Sequence, residues 1–408
     1  MQSDPTDARN RSTKRQSSAS ATNGGRTLVF HTGIHKTGST ALQAFLDLNV
    51  TRLEEAGVTY AYATGTGQGV GNGLHLFQML REGGVSTELL DEMLTVYLGN
   101  CPTGIISSED FTHFEPSQWQ QIAEASRRLG ARVKTITFIR DLAPYCASLH
   151  AQLVSAGEIS VSLDDFVSNA DVLAPVTRSL KSLMLAFQRD SMTVIHYESA
   201  SGAIDRAFLG SLGLPSDSFD PSHLGDRANR SLTEYEQELV LRFNRSTGKQ
   251  FARDLSRHLK TLRPNLVYAR TFDFKFVEQL SARYTDDLNW INESFFNGQS
   301  VMQVVRKRRE SPSENSQSEQ LRQAIDGDVI EWCIAKLRTS QDEDFRYMGR
   351  LLRNIDWNLA DNPMIPSDFD PIAYLAHNPD VVRNGSLPFR HYINNGHKEP
   401  DRRWKWTN

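Results

Sequence analysis

Short apolar runs at residues 27–30, 58–60, 104–107, 133–139 and 192–197 have the length and bounding turn residues of buried strands. Between them, apolar positions recur every three or four residues. Leu42, Phe45 and Leu46 fall on one face of a segment spanning 39–48. The same spacing predicts helices over 74–81, 88–98, 118–129, 142–154 and 203–212. Strand and helix patterns alternate, so the expected fold class is α/β: a mainly parallel sheet flanked by helices. Residues 221–300 read as mostly helical.

Beyond residue 300 the chain changes character. Residues 306–320 are charged, then rich in Ser, Glu and Gln, the composition of a linker. Residues 321–359 are expected to be helical, and 368–404 form a compact stretch of aromatics, proline and histidine. Residues 1–25 are polar and have too few apolar side chains to build a core, so they are expected to be disordered. The expected organisation is a tail at 1–25, a main domain at 26–300, a linker at 301–320, and a helical extension with a small C-terminal module at 321–408.

Composition removes several function classes. The formal net charge of −4 gives no global basic field, so nucleic acid is not an expected partner. The basic run at 306–309 reads as a solvated charge cluster. Cys101, Cys146 and Cys333 are too scattered for a disulfide framework or a zinc site. They are read as reduced thiols of a cytoplasmic protein without a bound metal. No run approaches the roughly 18 apolar residues of a membrane span, and 1–25 lack the apolar core of a signal peptide.

The densest chemistry is Gly33-Ile34-His35-Lys36-Thr37-Gly38-Ser39-Thr40, between the first strand and the first helix. Gly33 and Gly38 let the backbone turn tightly and bring its amides to a ligand. The helix that follows turns free N–H groups and its positive dipole end toward the same point. Lys36 adds a full charge, and Ser39 and Thr40 add hydroxyls. This is a phosphate loop like a P-loop, but not a Walker A loop, because the lysine precedes the second glycine. A second anion contact is expected at Arg140, at the end of the 133–139 strand, where open α/β sheets bind ligands. Its planar fork suits phosphate, and Ser148 lies two turns along the next helix.

His35-Lys36-Thr37-Gly38-Ser39-Thr40 resembles the 5′-phosphosulfate loop of sulfotransferases that use PAPS, 3′-phosphoadenosine 5′-phosphosulfate. Arg140 followed by Ser148 resembles that family's second phosphate motif. Val194-Ile195-His196-Tyr197-Glu198 resembles its strand ending in Tyr-Glu, whose tyrosine lies near the adenine. Arg227, with Asn229, Arg230 and Ser231, falls where many members close a basic loop over the 3′-phosphate, although the Arg-Lys-Gly form is missing here. The resemblance implies transfer of a sulfuryl group from PAPS to a hydroxyl or amine without a metal. It also implies that Lys36 contacts the bridging oxygen.

The base is less legible. Glu109 follows the apolar run at 104–107, at a strand end where the family carries a catalytic histidine or glutamate. Phe111 beside it is expected to raise its pKa by desolvation. His75 is the rival base. Asp110, His113 and His150 are candidates for the acceptor pocket, and His31 and His35 straddle a strand and a turn rather than forming a metal pair. Phe369-Asp370-Pro371, Tyr374-Leu375, Asn378-Pro379-Asp380-Val381, His391-Tyr392 and Gly396 resemble a short module appended to some bacterial glycosyltransferases and other cell-envelope enzymes, which tilts the expected acceptor toward a glycan or glycoconjugate. Three alternatives stay open: a magnesium-dependent nucleotide kinase or NTPase, a non-catalytic binding protein on the same scaffold, and a glycosyltransferase.

Overall fold

The computed structural model describes residues 25–405, apart from 64–70, 201–202, 221–229, 247–248, 265, 267–269, 306–320, 322–323, 326, 330, 333, 337–348 and 361. Its centre is an all-parallel sheet of β1 (Arg26–Thr32), β2 (Val58–Thr59), β3 (Thr103–Ser108), β4 (Ala131–Ile139) and β5 (Met192–His196). The strand order is β2-β3-β1-β4-β5. His31 of β1 stands opposite Ser107 on one side and Ile136 on the other.

Helices cover both faces, which is why the strands read as continuous apolar runs rather than alternating ones. The first group is α1 (Ser39–Leu48), α2 (Val50–Glu55), α3 (Leu74–Glu82), α4 (Thr87–Leu98), α5 (Pro116–Arg128) and α6 (Leu142–Ser155). The second is α7 (Leu163–Asn169), α8 (Ala174–Ala186), α9 (Ile204–Ser211), α10 (Glu234–Ser246), α11 (Lys249–Leu262) and α12 (Phe274–Phe296). Adjacent strand residues point to opposite faces. Phe30 and Ile106 therefore join Trp119, Leu180 and Leu280 in one core. Val29 and Ile105 join Phe45, Leu46 and Phe208 in another.

A third apolar cluster sits off the sheet. Val154 of α6, Val240 of α10, and Leu255 and Leu259 of α11 pack with Ile325, Trp332, Tyr374 and Tyr392. The C-terminal segment adds three short helices to it, Pro371–His377, Pro379–Arg383 and Pro388–Asn394. Each opens with proline, which lacks the N–H that a helix's first turn leaves unpaired anyway. No helix among the described residues is long and apolar enough to cross a membrane.

The topology fixes where a ligand can lie. From β1 the chain leaves toward β2, and from β4 it leaves toward β5, so the connections diverge between two neighbouring strands. That divergence opens a crevice at the carboxyl ends of the strands, the usual binding place in open α/β sheets.

Candidate functional site: an anion cradle at the strand ends

The loop after β1 is held in a conformation that suits an anion. Lys36 has φ 68° and Gly38 φ 84°, with Thr37 between them outside the left-handed region. Such alternation turns successive amides toward a common point. Glycine adopts positive φ freely, but for Lys36 the left-handed region costs roughly 1–2 kcal/mol, strain of the kind stored at functional sites. A Cβ on Gly38 would collide with Ile204 and meet Tyr197 Cε2 at 3.2 Å. One on Gly33 would collide with the Ser39 hydroxyl.

Thr37 donates its hydroxyl to the Ile34 carbonyl at 2.6 Å, so it closes the loop from within. No side chain caps α1, which leaves the amides of its first turn open to a ligand. The Ser39 Oγ is buried and makes no hydrogen bond, though it favours the charged form of Glu109 nearby. Thr40 is exposed. The other helix at this crevice differs. The first amides of α6 are taken, Leu142 by the Gln303 carbonyl and Ala143 by the Val304 carbonyl. Residues 301–305, where a linker was expected to begin, thus start as a strap on α6. Asn292 pins it further by accepting from the Met302 amide at 2.9 Å.

Arg140, one residue past β4, reaches this loop. Its Nη1 donates to the Lys36 carbonyl at 3.3 Å, and its guanidinium lies 5.0 Å from the centre of the Tyr197 ring. Glu198 accepts from Arg140 Nε at 2.8 Å and from the Asp141 amide at 3.1 Å. Behind it, buried His196 contacts Asp141 at 3.0 Å, and Asp141 accepts from the Gln303 amide at 2.8 Å. Asp141, His196 and Glu198 bring donor atoms within 4.8 Å of one another. Arg140 and backbone amides already engage two of them, so the cluster works as a bracket that aims Arg140. Ser148 is half-buried on α6. It shares a helix face with Gln152 and Ser155, four and seven residues on.

Glu109 opens the turn after β3, and its Oε2 lies 2.8 Å from His35 Nδ1. Burial alone would raise its pKa, as expected from the sequence. The His35 hydrogen bond and charge, the Ser39 hydroxyl and Lys36 outweigh burial and hold the carboxyl below its ordinary value. The expectation of a raised pKa is therefore overturned. Phe111 packs on Phe30 and Trp119, in the core, and what Glu109 meets is an imidazole. Reciprocally, the Glu109 hydrogen bond raises His35 against the opposing effect of burial.

The remaining candidates separate. His75 is half-buried near the start of α3 and makes no hydrogen bond or ion pair among the described residues. The His113 ring lies 6.0 Å from that of His35. His150 is buried with Nε2 on the Val161 carbonyl at 2.9 Å. His31 bonds Ser107 Oγ at 2.8 Å, and burial lowers its pKa to about 4. Arg227 and the basic run at 306–309 lie outside the described residues.

Lys36 also lines a cavity of about 770 Å³, together with Gln152 and Ser155 of α6 and Arg253, Arg257 and Lys260 of α11. Its size is that of small-molecule sites. Sequence reasoning missed the α11 residues, and it named Glu198 only as the strand end beside Tyr197, not as the partner of Arg140. The α11 signal was present, as basic residues at 253, 257 and 260 opposite apolar 252, 255 and 259.

No protein-family model matches the chain, and no curated protein matches it. Among solved structures it is similar to a sulfotransferase from Alicyclobacillus acidocaldarius, at 13% identity and a TM-score of 0.39. That match covers 66% of this chain and 95% of the other. A superposition this loose assigns no residue a role.

Proposed function

We propose that this chain is a PAPS-dependent sulfotransferase that transfers a sulfuryl group to a hydroxyl or amine, on a glycan or glycoconjugate. The observation that carries this reading is the convergence of three strand ends on one crevice. An open anion cradle follows β1, a bracketed guanidinium follows β4, and an ionised carboxylate follows β3. The residues suit a nucleotide with two separate anionic ends. The loop amides, Lys36 and the Ser39 hydroxyl would hold the 5′-phosphosulfate, with His35, Thr37 and Thr40 shaping the loop. Arg140 and Ser148 would hold the 3′-phosphate, and Tyr197 would lie against the adenine.

When bound, PAPS supplies an activated sulfuryl group. Glu109, steadied by His35, would take the proton from the acceptor hydroxyl. The acceptor oxygen then bonds to sulfur while the bond from sulfur to the phosphate oxygen breaks. The electron pair leaves with PAP, the desulfated nucleotide. Lys36 and the α1 amides would meet the charge that grows on that phosphate. The aromatic C-terminal segment supports a saccharide acceptor by its resemblance to modules of glycan-handling enzymes.

Calorimetric titration tests the donor. PAP should bind in EDTA, because protein cations and amides supply the anion site. Arg140→Ala should weaken PAP by roughly 10- to 150-fold, the worth of a charge-assisted bidentate contact. Adenosine 5′-phosphosulfate, which lacks the 3′-phosphate, should be affected little. Tighter, magnesium-dependent binding of ATP would overturn the reading in favour of a kinase.

A further inference from the structure

The cavity beside Lys36 is cationic, and bonds between its own walls hold it in shape. Lys36, Arg230, Arg253, Arg257 and Lys260 line it, and no aspartate or glutamate does. Arg253 Nε donates to the Ala156 carbonyl at 2.6 Å, which ties α11 to the end of α6. Arg230 Nη2 donates to the Leu259 carbonyl at 2.6 Å, which ties Arg230 to α11. Arg230 also makes a double contact with buried Glu236, both bonds at 2.7 Å. Donors are left over. The Arg230 side chain is only 7% exposed, yet its buried Nε makes no hydrogen bond among the described residues. A buried donor without an acceptor is rare in a folded chain, and an anion in this cavity would supply one. Lys260 has no ion-pair partner among the described residues. Burial lowers its pKa, and the charges of Lys36 and Arg230 lower it further.

The cavity adjoins the place proposed for the nucleotide's second anionic end. Ser148 shares a face of α6 with Gln152 and Ser155, and those two line the cavity. Four residues of helix advance by only about 6 Å. Arg140, on the other flank of the loop, is largely committed: its Nε donates to Glu198 and its Nη1 to the Lys36 carbonyl. The charge of Lys36 is felt by Lys260, and that of Arg140 by Lys36, so the loop lysine stands between the two. A phosphate monoester carries a charge of about −1.5 to −2 at neutral pH and offers three acceptor oxygens. One engaged arginine does not match that demand, and α11 brings more. Arg253, Ser256, Arg257 and Lys260 form one stripe of this helix, at i, i+3, i+4 and i+7. The opposite face, through Ala252, Leu255 and Leu259, is fully buried in the third core. That packing fixes the stripe toward the cavity.

We propose that Lys260, with Arg257 and the unpaired Nε of Arg230, holds the donor's 3′-phosphate, so that helix α11 makes the chain select a nucleotide bearing that group. This inference rests on the sulfotransferase reading for the identity of the nucleotide, and it adds α11 to Arg140 and Ser148. Lys260 is the centre of the site, a half-buried point charge that an anion in the cavity would meet. Arg257 has a side chain 75% exposed and bonded to Asp254 at 3.2 Å, so it adds charge from the solvent side. Arg230 is a positioning group as well as a donor, because its bonds to Glu236 and the Leu259 carbonyl set where α11 stands.

The test is calorimetry on the full chain in EDTA, with PAP and with adenosine 5′-monophosphate, which differs from PAP only in lacking the 3′-phosphate. Wild type should prefer PAP, and the preference should shrink as salt screens the charges. Lys260→Gln should weaken PAP by roughly tenfold or more, the worth of a charge-assisted contact, and leave the monophosphate's affinity unchanged. Adding Arg257→Gln should narrow the preference further. Glutamine is a good helix former, and Arg257→Gln alone, at the more exposed position, keeps the comparison available should Lys260→Gln unfold. A full PAP preference retained in both single variants overturns the α11 assignment and leaves the donor reading standing. Equal weakening of PAP and the monophosphate also overturns it, because α11 would then act on the 5′ end or on the fold. If wild type binds PAP no more tightly than the monophosphate, the sulfotransferase reading itself fails and the assignment falls with it.

Discussion

Glu109→Gln separates catalytic from structural importance. The substitution keeps the shape of the side chain and an oxygen that can accept from His35 Nδ1, and removes the charge. The two side chains of the pair are 32% and 29% exposed. A partly solvated ion pair of this kind contributes no more than about 1 kcal/mol to stability, so the melting temperature should shift by only a few degrees. Turnover should fall much further, by roughly 10²–10⁴, because glutamine cannot take the acceptor's proton. The titration of His35 provides an independent readout. The effects that raise its pKa are the Glu109 hydrogen bond and nearby carboxylate charges, whereas burial and Lys36 lower it. With the Glu109 charge gone, the imidazole pKa should drop, as read by NMR of the ring protons.

The signs for stability follow from the same pair. The Glu109 contribution is present above the unfolded carboxyl value near 4.5 and is lost as pH falls through its lower folded value. The His35 contribution is full below 6.5 and is lost as pH rises through its higher folded value. The pair therefore stabilises most between these limits. Initial rates with labelled PAPS, single-turnover rates and His35 titration should be measured on the same two proteins. A Glu109→Gln enzyme with near wild-type turnover and a shifted His35 pKa would refute the base assignment. The comparison His75→Asn should leave turnover unchanged; its loss would move the role to His75.

Two further outcomes test the loop and the buried strand end. Lys36→Gly should abolish turnover and weaken PAP while raising stability by up to about 1 kcal/mol, because glycine relieves the left-handed strain but frees the unfolded chain; a destabilised variant in thermal melts would show that Lys36 is held without strain. His31 titrates near 4 in the fold against 6.5 unfolded, so the unfolded chain gains a proton first and stability should fall by about 3 kcal/mol as pH drops from 7 to 4. In His31→Gln that part of the slope in urea melts should vanish, and an unchanged slope would exclude His31 as its source.

The anion loop and Arg140 were legible because their chemistry is local. Gly33 through Thr40 follow an apolar strand directly, and a parallel sheet brings such strand ends together whatever the connections do. Periodicity likewise located β1, β3, β4 and most of the helices. Helix α8 escaped although Val176, Leu180 and Leu183 carry its buried face. The environment of Glu109 was misread, because Phe111 is its neighbour in sequence while His35, 74 residues away, is its neighbour in space. Likewise, Glu198 brackets Arg140 across 58 residues, and Gln303 reaches Asp141 across 162. Which charges compensate one another depends on distances that only the folded chain sets. The cationic stripe of α11 makes the point most sharply. Its amphipathic spacing is written in residues 252–260, but the sequence does not say what the polar face looks at. Packing of the apolar face against α6, α10 and the C-terminal segment turns that stripe toward Lys36.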